Sequence, residues 1–185
     1  MSAAAVPRVP AVALRHLFLM PEAHYCAPEP AIVTTVLGSC VAICLYDRAQ
    51  RIGGMNHYLL PHSAGPTVNL RYGNMSIDQL IAEMHNLGAR VDKLEAKIFG
   101  GAAVLAVGTP ADSVGTQNVR MALERMRRHR IRVTARRTGG TKGLLIRFST
   151  STGDVMVRPI EPGAHFRPAG EAAHYDSKLG GPDCL

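Results

Sequence analysis

The chain of 185 residues contains no tryptophan, and aromatic residues make up only 5% of it. Proteins that hold single-stranded nucleic acids stack the bases on aromatic side chains, so this scarcity argues against such a platform. The sequence also lacks any apolar run that approaches the roughly 20 residues of a membrane-spanning helix. We therefore expect no membrane insertion and no nucleic-acid partner.

Cysteine is scarce and irregularly spaced. The four cysteines are Cys26, Cys40, Cys44 and Cys184. They do not form the dense disulfide framework of a small secreted domain. The N-terminal residues also lack the basic-then-apolar order of a secretory signal, so we expect a cytoplasmic location. Hydrophobic residues nevertheless reach 46%, which predicts a globular chain with a sizeable core.

The net charge of +7 comes from one segment of the chain. Residues 115–147 contain ten basic residues against the single acid Glu124, whereas the remainder holds 11 basic and 13 acidic residues. A local excess of this kind indicates one basic surface and therefore an acidic partner.

The hydrophobic pattern predicts one α+β domain. We expect a flexible segment over 1–13, a folded domain over 14–160 and a flexible tail over 161–185. Helices are predicted over 76–87, with a capping box of Ser76 and Gln79, and over 116–130. Strands are predicted over 31–37, 40–46, 52–60, 94–99, 131–137, 144–149 and 154–160. Clustered strands with two separate helices favour α+β over a regularly alternating fold.

One spacing in the chain matches a zinc finger. Three residues separate Cys40 from Cys44, twelve separate Cys44 from His57, and four separate His57 from His62. The segment between the cysteines is Val-Ala-Ile, which is typical of a strand and would hold them about 13 Å apart. Two sulfurs so far apart cannot share one zinc ion, so we predict no metal site.

A second interpretation of the same stretch is nucleophilic catalysis. Cys40 directly follows Gly38 and Ser39, at a corner where the chain turns into a strand. Backbone N–H groups at such a corner can hold an oxyanion. His57, on the next predicted strand, is the candidate base for the thiol.

Thr34 and Thr35 are the candidates for orienting His57. Adjacent residues of a strand face opposite sides, so only one of the pair can serve. The alternative remains that Cys40 and His57 are packing residues of a non-enzymatic, basic module that binds protein or RNA. Near such a site, the segment Phe99-Gly100-Gly101 would allow a substrate backbone to approach closely.

These motifs together resemble the chemoreceptor glutamine deamidases, the CheD family. The resemblance rests on two longer segments, Thr34-Thr-Val-Leu-Gly-Ser-Cys-Val-Ala-Ile-Cys-Leu-Tyr-Asp47 and Gly53-Gly-Met-Asn-His-Tyr-Leu-Leu-Pro61. Three shorter ones agree: Leu94-Glu-Ala-Lys-Ile-Phe-Gly-Gly-Ala102, Gly115-Thr-Gln-Asn118 and Thr138-Gly-Gly140. The matching segments extend over about residues 31–160, in the order of the family.

The resemblance implies a catalytic Cys40, His57 and Thr34. It implies hydrolysis of glutamine side-chain amides on chemotaxis receptors to glutamate and ammonia, with some members also cleaving methyl esters. It further implies an α/β/β layered sandwich, no metal or organic cofactor, and the receptors and the phosphatase CheC as partners.

Overall fold

The computed structural model describes residues 14–103 and 113–161, together with the backbone of residues 171–173. Two α-helices and ten strands lie in these residues. In chain order they are β1 (Arg15–Leu19), β2 (Ala23–Cys26), β3 (Ala31–Leu37), β4 (Val41–Asp47), β5 (Ile52–His57), α1 (Gly73–Asn86), β6 (Leu94–Gly100), α2 (Val114–Arg128), β7 (Arg132–Thr138), β8 (Gly143–Ser149), β9 (Val155–Ile160) and β10 (Glu171–Ala173). No helix of the described residues has both the length and the apolar character to span a membrane.

The strands form two sheets of five. Sheet A has the order β10-β1-β3-β8-β9, and sheet B has the order β2-β5-β4-β6-β7. Both helices pack on one face of sheet B, and the other face of sheet B packs on sheet A. The expected α/β/β sandwich is therefore confirmed.

Strand β4 lies at the centre of this sandwich, and all seven of its residues are buried. One side of it contributes Val41, Ile43 and Leu45 to the core beneath the helices. The other side contributes Ala42 and Cys44 to the core between the sheets. A strand covered on both faces needs a continuous apolar run, which is why this segment is so clear in the sequence.

The start of α1 differs from the prediction. The helix begins at Gly73, so Ser76 lies inside it and the predicted capping box with Gln79 is wrong. Ser76 is fully buried, and its hydroxyl accepts a hydrogen bond of 3.0 Å from the Asn56 side chain. The glycine expected to end this helix, Gly88, does adopt a positive φ of 98°.

Three strands were not predicted from the sequence. β1 and β2 are short. β1 begins with the exposed residues Arg15 and His16, so only three apolar residues remain to indicate a strand. β10 lies within the segment predicted to be a tail and pairs in parallel with β1. Apart from Glu161, the remaining residues of the predicted N-terminal segment and tail lie outside the described residues.

Candidate active site

Cys40 lies in the corner between β3 and β4, where the chain crosses from sheet A to sheet B. Two backbone hydrogen bonds from the end of β6 hold this corner: Gly101 N donates to the Cys40 carbonyl at 2.8 Å, and Ala102 N donates to the Gly38 carbonyl at 2.9 Å. The Cys40 side chain is partly buried and packs against the core between the sheets. Its thiol is therefore fixed near an edge of that core.

His57 ends β5 and is only 2% exposed. The register of β4 and β5 pairs Cys44 with Met55, and the bridge from Val41 to Tyr58 continues the same register. Ala42 therefore lies opposite His57, and Cys40 is the diagonal neighbour of His57 on the same face. Diagonal neighbours have Cα atoms about 7–8 Å apart, a separation that an imidazole can bridge.

Thr35 fixes the orientation of His57. Its hydroxyl donates to the Leu19 carbonyl at 2.8 Å and lies 2.9 Å from His57 Nδ1. A hydroxyl has one hydrogen, so it accepts from Nδ1, and Nδ1 carries the proton of the neutral ring. The other nitrogen, Nε2, then has a free lone pair, and it is buried without a hydrogen-bond partner among the described residues.

The structure corrects the choice between the two threonines. Thr35 is completely buried and faces sheet B, together with Val33 and Leu37 of the same strand. Thr34 points to the opposite face of β3 and is partly exposed. Because successive side chains of a strand alternate, Thr34 cannot occupy the contact with His57.

Burial keeps both members of the pair uncharged. Burial lowers the pKa of His57 to about 4, although the Leu19 carbonyl partly opposes this shift. Burial also raises the pKa of the Cys40 thiol, with its own backbone N–H opposing the shift. At neutral pH the site therefore holds a thiol and a neutral imidazole whose free nitrogen can accept the thiol proton.

Comparison with known proteins identifies the family of the chain. A family model described as CheD chemotactic sensory transduction matches residues 59–159. A probable chemoreceptor glutamine deamidase CheD from Rhodospirillum rubrum is 50% identical over 161 residues, covering 87% of this chain and 92% of the relative. A similarly named protein from Anaeromyxobacter dehalogenans is 41% identical over 134 residues, covering 72% of this chain and 78% of the relative. The chain belongs to the CheD family.

In this CheD family member, two glycines support the corner of Cys40. Gly100 and Gly101 have φ values of 102° and 71°, which side chains rarely adopt. A Cβ atom on Gly100 would overlap the Cys40 carbonyl oxygen, and one on Gly101 would overlap Val119 of α2. These glycines thus allow β6 and α2 to pack tightly against the corner. The expected approach of a substrate to this segment stays a prediction.

A line of residues crosses sheet B beside the site. His57 neighbours Ala42, which pairs with Phe99, which in turn pairs with Arg137 on the edge strand β7. A bulge in the pairing of β6 with β7 places Arg136 on the helix side and leaves Arg137 on the side of the thiol. Phe99 is buried, whereas both arginines are exposed and, in the described part of the chain, have no ion-pair partner.

Cys44, which the zinc-finger spacing would require as a ligand, is 1% exposed in the core between the sheets. The segment joining it to Cys40 is extended, as the sequence predicts. Within residues 14–103 and 113–161, no three side chains of histidine, cysteine, aspartate or glutamate form a group that could bind a metal ion.

Proposed function

We propose that this chain hydrolyses the side-chain amide of glutamines on chemotaxis receptors, with Cys40 as the nucleophile. The observation that carries the proposal is that Thr35 holds Nδ1 of the buried His57, whose Nε2 has no hydrogen-bond partner among the described residues, with the partly buried Cys40 as its diagonal neighbour on the same face of the sheet. Three relatives named as probable chemoreceptor glutamine deamidases support the substrate.

The first half of the reaction forms a thioester. Cys40 Sγ attacks the carbonyl carbon of the glutamine side chain while its proton passes to His57 Nε2. The N–H groups of the corner from Gly38 to Cys40 stabilise the oxyanion of the tetrahedral intermediate. His57 then donates the proton to the amide nitrogen, ammonia departs, and the acyl group stays on the sulfur.

The second half consumes one water molecule. His57 Nε2, neutral again, takes a proton from water as the oxygen attacks the thioester carbon. The sulfur leaves and recovers its proton from His57, and glutamate is released. A glutamate methyl ester would give the same thioester with methanol as the leaving group, so we extend the proposal to methyl esters.

The receptor portion that such an enzyme modifies is cytoplasmic, so we propose that the chain acts there. The phosphatase CheC, expected as a partner from the resemblance, stays a prediction. No metal or organic cofactor takes part in the proposed steps.

Mass spectrometry tests the function directly. The purified chain is incubated with the cytoplasmic fragment of a receptor from the same organism, and tryptic peptides are compared before and after. We expect selected glutamines to gain about 1 Da, the difference between NH₂ and OH, with one ammonia released per conversion. A fragment that remains unmodified would contradict the proposed activity. High-affinity, salt-sensitive binding to RNA would then favour the alternative of a binding module.

Removing the Thr35 hydroxyl should slow the chemical step. We expect Thr35→Val to lower kcat about 10- to 100-fold, because a buried Nδ1–H without an acceptor costs about 1–3 kcal/mol and the ring is no longer held. Thr35→Ser should restore most of the rate. Thr34→Val is the matched control on the opposite face of β3 and should keep kcat near the wild-type value. Single-turnover deamidation measures all three, and a slower Thr34→Val variant would contradict the assignment.

Two pairs of arginines on the basic surface can distinguish direct contact with the receptor from long-range electrostatic attraction. Arg136 and Arg137 lie near the end of β7 that pairs with Gly100, beside the Cys40 corner. Arg127 and Arg128 lie at the other end of α2, and the N-terminal turn of that helix is the part that packs on Gly101. All four arginines are exposed.

We expect Arg136→Gln with Arg137→Gln to raise KM roughly tenfold, because Arg137 lies on the side of the thiol and both charges lie beside the corner where an acidic receptor helix would bind. Arg127→Gln with Arg128→Gln removes the same charge and should have a smaller effect that disappears in high salt. Steady-state kinetics at two salt concentrations measures both variants. If both double variants changed KM equally, and if high salt abolished both changes, the arginines would only steer the encounter with the receptor and would not contact it.

A further inference from the structure

Asn118, on α2, has a role that its position in the sequence does not suggest. Its side chain is completely buried. The amide Nδ2 donates to the carbonyl oxygen of Ser39 at 3.0 Å and to that of Leu59 at 2.8 Å. Both partners are acceptors, so only the NH₂ end of the amide can face them. The Tyr58 hydroxyl donates to the backbone carbonyl of Asn118 at 2.7 Å and holds α2 in place.

These two hydrogen bonds close the gap where β4 and β5 separate. The last backbone bridge described between the strands joins Val41 to Tyr58. One step further along, Cys40 lies opposite Leu59, and there the Asn118 amide ties the two strands together. The same side chain therefore fixes the strand that carries the thiol relative to the strand that carries His57.

The bond to Ser39 also fixes the peptide plane that precedes Cys40. The described residues contain no cis peptide bond, and in a trans peptide the C=O and N–H groups point in opposite directions. The Ser39 carbonyl points towards α2, on the helix side of sheet B. The N–H of Cys40 therefore points away from the helices, towards the space between the sheets where its thiol lies. The effect of this N–H on the pKa of the Cys40 thiol agrees with that direction.

We propose that Asn118 is a positioning residue that aims the Cys40 N–H at the oxyanion. A carbonyl that accepts a hydrogen bond also polarises its peptide, which makes the N–H on the other side a stronger donor. The inference rests on the proposed deamidase function. It adds a residue that never touches the substrate and acts only through the Ser39–Cys40 peptide.

The test combines two variants with a matched control. In Asn118→Ala we expect kcat to fall about 10- to 100-fold with KM nearly unchanged, because an oxyanion donor acts only in the transition state. Asn118→Ser, which keeps one donor, should lie between this variant and the wild type. Asn56→Ala removes an equally buried amide that bonds Ile43 and Ser76 away from the thiol. It should lower the melting temperature without changing kcat.

Alkylation of Cys40 by iodoacetamide provides a readout that needs no substrate. The N–H that stabilises an oxyanion also stabilises the thiolate, so the pH profile of alkylation should move to higher pH in both Asn118 variants. In Asn56→Ala the profile should stay where it is. Unchanged kcat and an unchanged alkylation profile in folded Asn118 variants would overturn the proposal.

A measurement on the wild-type chain covers the case in which neither Asn118 variant folds. The probe is a receptor peptide with an aldehyde in place of the target amide. The Cys40 thiol adds to the aldehyde: sulfur bonds to the carbonyl carbon, and the thiol proton moves to the oxygen. We expect the Cys40 amide proton to move downfield in the NMR spectrum as it bonds that oxygen. An unmoved Cys40 amide signal would overturn the proposal, whereas failure of the wild-type chain to deamidate the receptor fragment would overturn the proposed function instead.

Discussion

Replacing Cys40 with alanine is expected to reduce kcat for receptor deamidation by at least about 10⁴-fold, because no other group can form the thioester. The fold should survive, since the side chain is only partly buried and the corner is held by its carbonyl groups. Mass spectrometry of the receptor fragment, with circular dichroism of the variant, measures both outcomes.

Cys26→Ala is the matched control for this variant. Cys26 is also partly buried on sheet B, but burial and the neighbouring Glu83 raise the pKa of its thiol to about 12. Its replacement should leave kcat unchanged, and iodoacetamide should label Cys40 faster than Cys26. An active Cys40→Ala enzyme would contradict the proposed mechanism as a whole.

The sequence predicts best the strand whose apolar run has a clear boundary. β3 is seven residues long and lies where the sequence predicts it, over 31–37, because its apolar, β-branched run is bounded by a Gly-Ser corner. β1 escapes prediction because only its last three residues are buried and one of its two neighbours, β10, lies about 150 residues further along the chain. Pairing of that kind leaves little trace in a local pattern.

The threonine that contacts His57 shows a second limit of sequence reasoning. Side chains on both faces of β3 are similar in character: Val33 and Leu37 point inward, and Ile32 and Val36 point outward. A shift of one residue exchanges the two faces without an obvious penalty in the pattern. Only the packing of sheet A on sheet B decides that Thr35 points inward.

Asn118 marks a third limit, since its contacts are remote in sequence. It lies 79 residues from Ser39 and 59 from Leu59, and both contacts are to backbone carbonyls. Every residue type has a backbone carbonyl, so the identities of Ser39 and Leu59 do not reveal that they bond Asn118. No sequence motif could therefore connect these residues. Cys40 and His57 were predictable because they belong to neighbouring strands joined by a short turn.

The burial of His57 has a consequence for stability. An exposed histidine has a pKa near 6.5, whereas in the folded chain the pKa of His57 is lowered to about 4. Between these values the unfolded chain takes up a proton that the folded chain does not. The contribution of neutral His57 to the free energy of unfolding should therefore be fully present above about pH 6.5. It should fall by about 3 kcal/mol as the pH approaches 4. Chemical denaturation at several pH values measures this loss, and a His57→Gln variant should lack it.

His57→Gln is expected to reduce kcat about 10³-fold or more, because the variant can neither accept the thiol proton nor donate one to ammonia. Glutamine carries an amide donor that can replace the Nδ1–H bond to Thr35, so the variant should remain folded. His24→Gln is the matched control: His24 is also buried on sheet B, but it faces the helices and bonds Glu83 at 2.6 Å. That variant should keep its kcat. Single-turnover deamidation and the rate of Cys40 alkylation at neutral pH should both fall in His57→Gln alone. A His57→Gln enzyme within about tenfold of the wild type would leave the thiol without its base and contradict the proton transfer proposed here.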